Sequence, residues 1–187
     1  DFRHFDRGSG ENDRGQYEQH QFVFGGTGAC LIIERNALKQ MLIEESDKDS
    51  VLSVYPALKD LPGKRAGLFD EAFFAYREDA ELAFRAQSFG LQCLYWPEAV
   101  VYHVRRVLPE RRSELPKEIN LHGVRNRFLL QILYWTPSLG LSVFIRGIVF
   151  RNLLVLLGVL IKERSSLQAF VQLRKLRERA YQRKKII

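Results

Sequence analysis

The densest group of chemically capable side chains lies in residues 69–87, FDEAFFAYREDAELAFRAQ. A general base needs a carboxylate in a partly dry pocket, with its pKa set by its neighbours. Asp79 is the candidate, because it stands at a predicted helix start, beside Glu78 and shortly after several aromatic residues. Five carboxylates in all fall within 12 residues: Asp70, Glu71, Glu78, Asp79 and Glu81.

A purely structural role explains the same residues. Glu78 and Asp79 near a helix N-terminus complement the helix dipole. Glu81 and Arg85 are four residues apart, the spacing of an ordinary surface salt bridge on a helix. The aromatic residues of the block would then belong to the hydrophobic core: Phe73, Phe74 and Phe84.

A glycine cluster, FGGTGAC at residues 24–30, is the second notable pattern. It lacks the Lys and Ser/Thr of a phosphate-binding loop and does not fit the dinucleotide-binding fingerprint. Two interpretations stay open, a simple tight turn or a place where the backbone approaches a ligand closely. His103, at the end of the β-rich run AVVYH, is likewise either structural or a single metal ligand.

Hydrophobic periodicity predicts the elements that carry these residues. Helices are expected over 35–45, over 78–89 with an end at Gly90, and over 119–135, and β structure over 21–33 and 91–104. Residues 46–67 are charged and contain proline, so we expect a surface excursion there. The expected fold class is α/β, followed by helical segments.

The net charge of +7 is divided unevenly along the chain. Residues 1–104 sum to −6 and residues 105–187 sum to +13. An acidic body with a basic end argues against a domain that wraps nucleic acid, so we expect no nucleic-acid partner. It favours contact of one end with an anionic surface.

The C-terminal segments are apolar and then basic. Residues 128–161 contain only two charged side chains, Arg146 and Arg151, and residues 162–187 show the spacing of a basic amphipathic helix. We expect helices that lie in the membrane interface, with basic residues at the headgroups. A spanning hairpin and a soluble helical cap on the body are the alternatives.

Taken together, three segments resemble the second half of a family 2 glycosyltransferase of the bacterial rhamnosyltransferase-like type. The first is DRGQYEQHQFVFGGTGACLIIERNAL, the glycine-rich segment followed by a short helix. The second is FDEAFFAYREDAELAFRAQSFGLQCLYWPEAVVYH, and the third is LHGVRNRFLLQ. The segments occur in the family's order and cover roughly residues 13–130, which makes the resemblance more specific than any one motif.

The resemblance implies a GT-A type α/β fold and transfer of a sugar from a nucleotide-sugar to an acceptor hydroxyl, with inversion at the anomeric carbon. It implies that Asp79 is the catalytic base, with Glu78 beside it. It implies that His103 completes the coordination of a Mg²⁺ or Mn²⁺ ion. The acceptor side would be formed by Gly25, Gly26, Thr27, Gly28, Phe73, Phe74 and Tyr76.

The resemblance also implies a division of the chain and a location. Residues 1–127 would be the acceptor-side half of the transferase domain, and residues 128–187 membrane-associated helices at the cytoplasmic face of the cell membrane. A lipid-linked or saccharide acceptor would fit that location. The alternative hypothesis is a non-catalytic membrane-binding module with a basic tail.

The sequence departs from the family pattern in two ways. The family's DxD metal motif is absent; Asp47-Lys48-Asp49 has its spacing but lies in the charged excursion, and residues 46–67 look like an insertion. We expect a nucleotide-binding half with a DxD motif upstream of Asp1, and we expect the chain by itself to be inactive.

Overall fold

The carboxylate-rich block and the basic C-terminal helix pack directly against each other. The protein is described here by a computed structural model covering residues 2–43, 48–60, 67–104 and 116–187. In these residues the fold is mixed α/β, with helices predominating and a sheet of two short strands. Asp47, one end of the Asp47-Lys48-Asp49 spacing, lies outside the described residues.

The two strands bring the glycine cluster next to the segment after the acidic block. β1 (Gln21–Val23) pairs antiparallel with β2 (Cys93–Tyr95), with Phe22 opposite Leu94. The glycine cluster follows β1 directly and therefore starts from a fixed position. Both strands are shorter than the β-rich runs from which they were predicted.

Helix α3 (Glu78–Ser88) carries the acidic block, and its bounds agree with the prediction. It opens on three acidic residues in its first turn, which suit the positive end of the helix dipole. Gly90 follows the C-cap residue Phe89, and its φ of +71° is the left-handed conformation common after helix C-termini. The first helix of the chain, α1 (Arg35–Met41), starts with the Glu34 side chain accepting a hydrogen bond from the Ala37 N–H at 3.0 Å.

The main core joins α3 to three other helices. These are α2 (Lys48–Leu52), α4 (Lys117–Tyr134) and α6 (Gln168–Lys184). Buried apolar side chains of these helices form one cluster with Phe73, which lies in the turn before α3. The helical members include Val51, Ala80, Leu129, Leu130, Leu133, Leu176 and Ala180. Val51 shows that the expected surface excursion at 46–67 is wrong for part of its length, because α2 contributes to this core.

A second cluster attaches the apolar helix to the body. The helix Val143–Ile161 begins with π-helical turns at Val143–Phe150 and continues as α5 (Arg151–Ile161). Val155 and Val159 pack against Leu121, Val124 and neighbouring side chains of α4 and α6. Short 3-10 turns at Pro56–Asp60, Pro137–Leu139 and Arg164–Leu167 complete the described elements.

The predicted division between residues 127 and 128 falls inside α4, which runs through it as one continuous helix of 18 residues. Helices α4 and α6 also pack against each other along their lengths. The boundary therefore does not mark a break in the packing of this chain.

Candidate functional site

The carboxylate of Asp79 meets the glycine cluster at the start of α3. The Gly28 N–H donates to Asp79 Oδ2 at 3.3 Å, and the Ala80 N–H donates to Asp79 Oδ1 at 2.7 Å. Asp79 is half-buried. Two sequence-predicted site elements, 51 residues apart in the chain, are thus neighbours in space.

The absence of a side chain at Gly25 allows the glycine cluster to lie this close to α3. A Cβ atom at Gly25 would lie 2.2 Å from the Cβ of Ala83, far inside van der Waals contact, so the backbone of the cluster packs directly on α3. A Cβ atom at Gly28 would lie 3.6 Å from the Cβ of Asp79, an ordinary van der Waals distance. The cluster is therefore a close approach of backbone to the helix that carries Asp79. Thr27 and Gly28 remain exposed, while Gly26 is half-buried.

Glu78 has a different environment from Asp79. Burial raises the pKa of the Glu78 carboxyl, and repulsion from the Asp79 carboxylate adds to the rise. Its Oε2 atom is buried and has no hydrogen-bond partner among the described residues. Adjacent carboxyl groups in unlike environments can divide acid and base roles between them.

His4 is the basic side chain that sequence reasoning missed at this end of α3. Desolvation lowers the pKa of its imidazole, the positive charge of Arg77 lowers it further, and the Asp79 carboxylate opposes both. The imidazole is therefore neutral near pH 7. His4 lies in a polar loop 75 residues before Asp79, and no local pattern signals the proximity.

The backbone before Glu78 is strained. Phe74, Tyr76 and Arg77 have φ angles of +57°, +65° and +70°, in the left-handed region that bulky residues rarely enter. Each such residue costs on the order of 1–3 kcal/mol and persists only where the surroundings enforce it. Three of them within four positions immediately precede Glu78, the residue before the candidate base.

The Arg125-Asn126 pair of α4 enforces this conformation. The Asn126 side-chain amide donates to the carbonyl oxygens of Phe73, Ala75 and Tyr76 at 2.8, 2.8 and 2.6 Å. Arg125 donates to the Phe73 carbonyl at 2.8 Å and to Asn126 Oδ1 at 2.8 and 2.9 Å. Both side chains are completely buried. The RN dipeptide of the third resembling segment thus holds the turn that positions Glu78 and Asp79.

The aromatic residues of the block divide between core and surface. The side chain of Phe73 is completely buried in the core, so the expectation that it lines the acceptor side is wrong. Phe74 is 57% exposed and stacks on Tyr55 with ring centroids 4.8 Å apart. The ring centroid of His122 lies 5.4 Å from that of Phe74. Tyr76, two positions after Phe74 in the chain, is half-buried. Phe74 and the half-buried rings of Tyr55 and His122 form an aromatic platform, of which Phe74 is the exposed member.

Two of the other three carboxylates of the block, Glu81 and Asp70, are structural. Glu81 is fully buried and accepts from Arg85 at 2.7 Å and from the Tyr134 hydroxyl at 2.8 Å. The expected surface salt bridge between Glu81 and Arg85 is therefore an interior ion pair. Asp70, also buried, pairs with Arg179 at 2.8 Å and with Arg183.

Arg183 joins these two carboxylates, because its second nitrogen lies 3.3 Å from Glu81 Oε1. Burial lowers the pKa of Arg183 to about 10, which leaves the guanidinium charged at neutral pH. Part of the positive charge of the C-terminal half thus neutralises carboxylates of the body. Sequence reasoning assigned that charge to a membrane surface and missed this use of it.

His103 does not come together with other ligand-type residues. It is exposed in the stretch that follows β2, and the described residues contain no group of three or more His, Cys, Asp or Glu side chains arranged to hold a metal ion. One imidazole is too few donors for a divalent cation. His103 alone cannot hold the Mg²⁺ or Mn²⁺ ion that the resemblance implies, and the further ligands would have to come from outside the described residues, so no proposed step passes through a metal.

Comparison with known proteins gives no match: no protein-family model, no curated protein and no solved structure matches this chain. The resemblance of its motifs to family 2 glycosyltransferases therefore stays a hypothesis.

Proposed function

We propose that this chain is the acceptor-side and base-bearing part of an inverting glycosyltransferase of GT-A type that works at a membrane surface. The observation that carries the proposal is the meeting of Asp79 with the exposed Gly28 of the glycine cluster, at the end of a strained turn that buried side chains hold in place. Strain of this kind concentrates at functional sites. A purely structural helix start would not need it.

The proposed chemistry uses Asp79 as the general base. The acceptor hydroxyl oxygen attacks the anomeric carbon of the donor sugar while its proton passes to an Asp79 carboxylate oxygen. The bond from the anomeric carbon to the phosphate oxygen breaks on the opposite face, so the nucleoside diphosphate leaves and the configuration inverts. The backbone N–H groups of Gly28 and Ala80 fix the carboxylate for this step.

The aromatic platform is the proposed acceptor surface. Flat aromatic faces suit the apolar faces of sugar rings, and Phe74 presents such a face beside the turn that leads to Asp79. Tyr76 and the Gly25–Gly28 segment would border the same region. Phe73 takes part only through its carbonyl oxygen, which Arg125 and Asn126 hold.

Transfer assays with matched carboxylate variants test the proposal. The natural gene product that contains this chain is incubated with labelled UDP-, GDP- and dTDP-sugars, with membranes of the source cells supplying acceptors. We expect transfer from at least one donor, reduced by about two to four orders of magnitude in Asp79→Asn. Asp49→Asn, an exposed carboxylate on α2, is the control and should retain full activity.

Two outcomes would contradict the proposal. Transfer from no donor would remove the transferase assignment, and substantial turnover by Asp79→Asn would remove the base assignment. Glu78→Gln separates the two carboxylates, because we expect it to retain most activity. If Glu78→Gln is inactive and Asp79→Asn is active, the base is Glu78.

A membrane-binding module without catalysis is the second candidate function, and the helix Val143–Ile161 favours it. This helix is long and apolar enough to cross a membrane, the only one found in the described residues. A core helix of a soluble protein passes the same test but is mostly buried, whereas only 6% of its apolar window is buried here. Vesicle binding with no transfer from any donor would favour this candidate.

A further inference from the structure

Phe74 is a large apolar side chain that a strained backbone holds in the open. The Ala75 N–H donates to the Phe73 carbonyl oxygen at 2.6 Å, which closes a three-residue turn centred on Phe74. Such a turn with a positive φ at its centre is rare and strained, and Phe74 has a φ of +57°. Its side chain is nevertheless 57% exposed, so burial of apolar surface does not offset the strain. This combination is typical of a surface that binds a ligand.

The hydroxyl group of Tyr55 joins the aromatic platform to a buried arginine of α4. Arg125 Nη1 donates to the Tyr55 hydroxyl oxygen, and because a guanidinium can only donate, the hydroxyl proton must point to another acceptor. Burial raises the pKa of this hydroxyl, which therefore keeps its proton at neutral pH. The described residues offer that proton one acceptor, the Nδ1 atom of His122 at 3.5 Å.

His122 is left with one positioned donor beside the ring of Phe74. Burial, and then the charge of Arg125, lower the pKa of the imidazole to about 4, so at neutral pH it carries a single N–H. Because Nδ1 accepts from Tyr55, the network assigns that proton to Nε2. Nε2 makes no hydrogen bond within the described part of the chain, and the side chain is only half-buried. The Nε2–H group is therefore available to a ligand.

The charges beside the platform favour a neutral ligand. All three nitrogen atoms of the Arg125 guanidinium already donate to acceptors of the protein, so this cation is not available to a ligand. Glu118 is exposed one helical turn before His122 on α4, and its negative charge is close enough to raise the pKa of the imidazole. A ligand that carries a phosphate or carboxylate group would be repelled by Glu118 and would gain no ion pair from Arg125.

We propose that His122 determines acceptor specificity, by donating a hydrogen bond from Nε2–H to an oxygen atom of a neutral sugar ring that stacks on Phe74. A pyranose ring has an apolar face of C–H groups for the aromatic ring and oxygen atoms at its edge for the donor. Tyr55 acts as a positioning residue, because it orients the imidazole. It belongs to residues 46–67, where the sequence departs from the family pattern, so the resemblance does not imply this part of the site. The inference rests on the proposed function for its acceptor, but the sugar site can be tested without transfer.

NMR of the histidine ring nitrogens tests the hydrogen-bond chain in the full chain without any ligand. At neutral pH we expect His122 to carry its proton on Nε2. Tyr55→Phe keeps the aromatic ring but removes the hydroxyl, so it should increase the share of the Nδ1–H form. His20, an exposed histidine beside Glu98, is the internal control and should not respond to Tyr55→Phe. A proton on Nδ1 of His122 in the original chain would overturn the proposal.

Titration with methyl glycosides of glucose, galactose, mannose and rhamnose, followed by saturation-transfer NMR, tests the sugar site. We expect the full chain to bind at least one of them. His122→Phe keeps a flat ring without the N–H and should weaken binding about fivefold or more, whereas the side-chain amide of His122→Gln restores a donor and should retain most of it. Phe74→Leu should also weaken binding about fivefold or more. Phe22→Leu, at a phenylalanine that is 68% exposed on β1, is the matched control and should leave binding unchanged.

Three results of the titration would overturn the proposal. Binding of none of the four glycosides would remove the sugar site. Equal weakening in His122→Phe and His122→Gln, with both variants folded in urea denaturation, would show that His122 contributes packing and no hydrogen bond. Tighter binding of the methyl glycoside of glucuronic acid than of methyl glucoside would show that the site takes an anionic sugar.

The transfer assay separates this site from the transferase proposal. His122→Phe should raise the KM for the acceptor and leave the KM for the donor unchanged, because the imidazole meets only the acceptor. Glycoside binding without transfer from any donor would remove the transferase assignment and keep the sugar site. Transfer with an acceptor KM that His122→Phe does not change would overturn the role of His122 and keep the transferase assignment.

Discussion

The side-chain amide of Asn126 donates to the carbonyl oxygen of Tyr76 at 2.6 Å, so a residue of α4 fixes the left-handed turn directly before α3. Two further carbonyl oxygens of the same turn accept from that amide. The position of the Glu78-Asp79 pair thus depends on a helix that follows it by about 40 residues in the chain.

Asn126→Ala should be strongly destabilising. It removes an amide that satisfies three carbonyl oxygens and leaves polar backbone atoms of the strained turn without this donor. We expect the free energy of unfolding to fall by roughly 2–4 kcal/mol, measured by urea denaturation. Asn12→Ala, an exposed control, should change it by less than about 0.5 kcal/mol.

In the transfer assay at a temperature where Asn126→Ala is folded, activity should fall more than the folded fraction does, because the turn relaxes. Activity that simply follows the folded fraction would show that Asn126 acts on stability alone and does not position Asp79.

Arg183→Met should destabilise the chain, because it removes the positive charge that contacts both buried carboxylates, Asp70 and Glu81. Removing one partner of a buried ion pair costs about 3–5 kcal/mol. Arg177→Met, on an exposed position of the same helix, serves as the matched control and should have little effect. Chemical denaturation of both variants measures the difference.

A double-mutant cycle that combines Arg183→Met with Asp70→Asn measures the interaction energy between these two side chains, apart from their contacts with other residues. Because Asp70 and Arg183 are in direct contact, their effects should be non-additive by about 1 kcal/mol or more. Additive effects would contradict the direct coupling between α6 and the acidic block.

Gly25→Ala should destabilise the chain through steric overlap. The new methyl group would lie 2.2 Å from the Cβ of Ala83, a helical residue whose backbone has little room to move. Overpacking of this kind costs about 1–3 kcal/mol. Gly158→Ala is the control, since its site is open and helical, and it should be neutral or stabilising by up to about 1 kcal/mol.

If Gly25→Ala unfolds at the same urea concentration as the original chain, the glycine cluster does not pack on α3 as described. Loss of transfer activity in a stable Gly25→Ala variant would instead locate its effect in the acceptor region.

The sequence was most informative about local structure. Periodicity and Gly90 predicted the position of α3 correctly, because a helix and its end depend on nearby residues. The buried role of Arg183 could not be predicted, since a helical pattern shows which residues share a face but not what that face meets. Val51 and Tyr55 also pack inward, and the charged residues around them in the sequence gave no indication of this.

The site was predictable only in part for the same reason. The acidic block, the glycine cluster and the RN dipeptide are visible as patterns, and Asp79 and Gly28 do meet. The hydrogen bonds of Asn126 join residues about 50 positions apart, and the left-handed turn occurs in residues that rarely adopt it. Neither leaves a signal in local sequence.

His122 should make the stability of the chain depend on pH. Burial, and then the charge of Arg125, lower the pKa of its imidazole to about 4 from 6.5, while Glu118 acts in the opposite direction. The unfolded state therefore binds more protons between about pH 4 and 6.5, so this contribution to stability is complete above pH 6.5 and is lost as pH falls towards 4.

The imidazole is half exposed, and solvent screening reduces the full linkage, so we expect a loss of about 1–2 kcal/mol over that range. His122→Gln should lack this pH-dependent contribution to the free energy of unfolding. Urea denaturation of the original chain and of His122→Gln over the same pH range gives the contribution as a difference, free of the titration of Glu78 and Glu81. His103→Gln, at an exposed histidine, is the control. Parallel pH profiles for the original chain and His122→Gln would contradict a neutral, desolvated His122 beside Arg125.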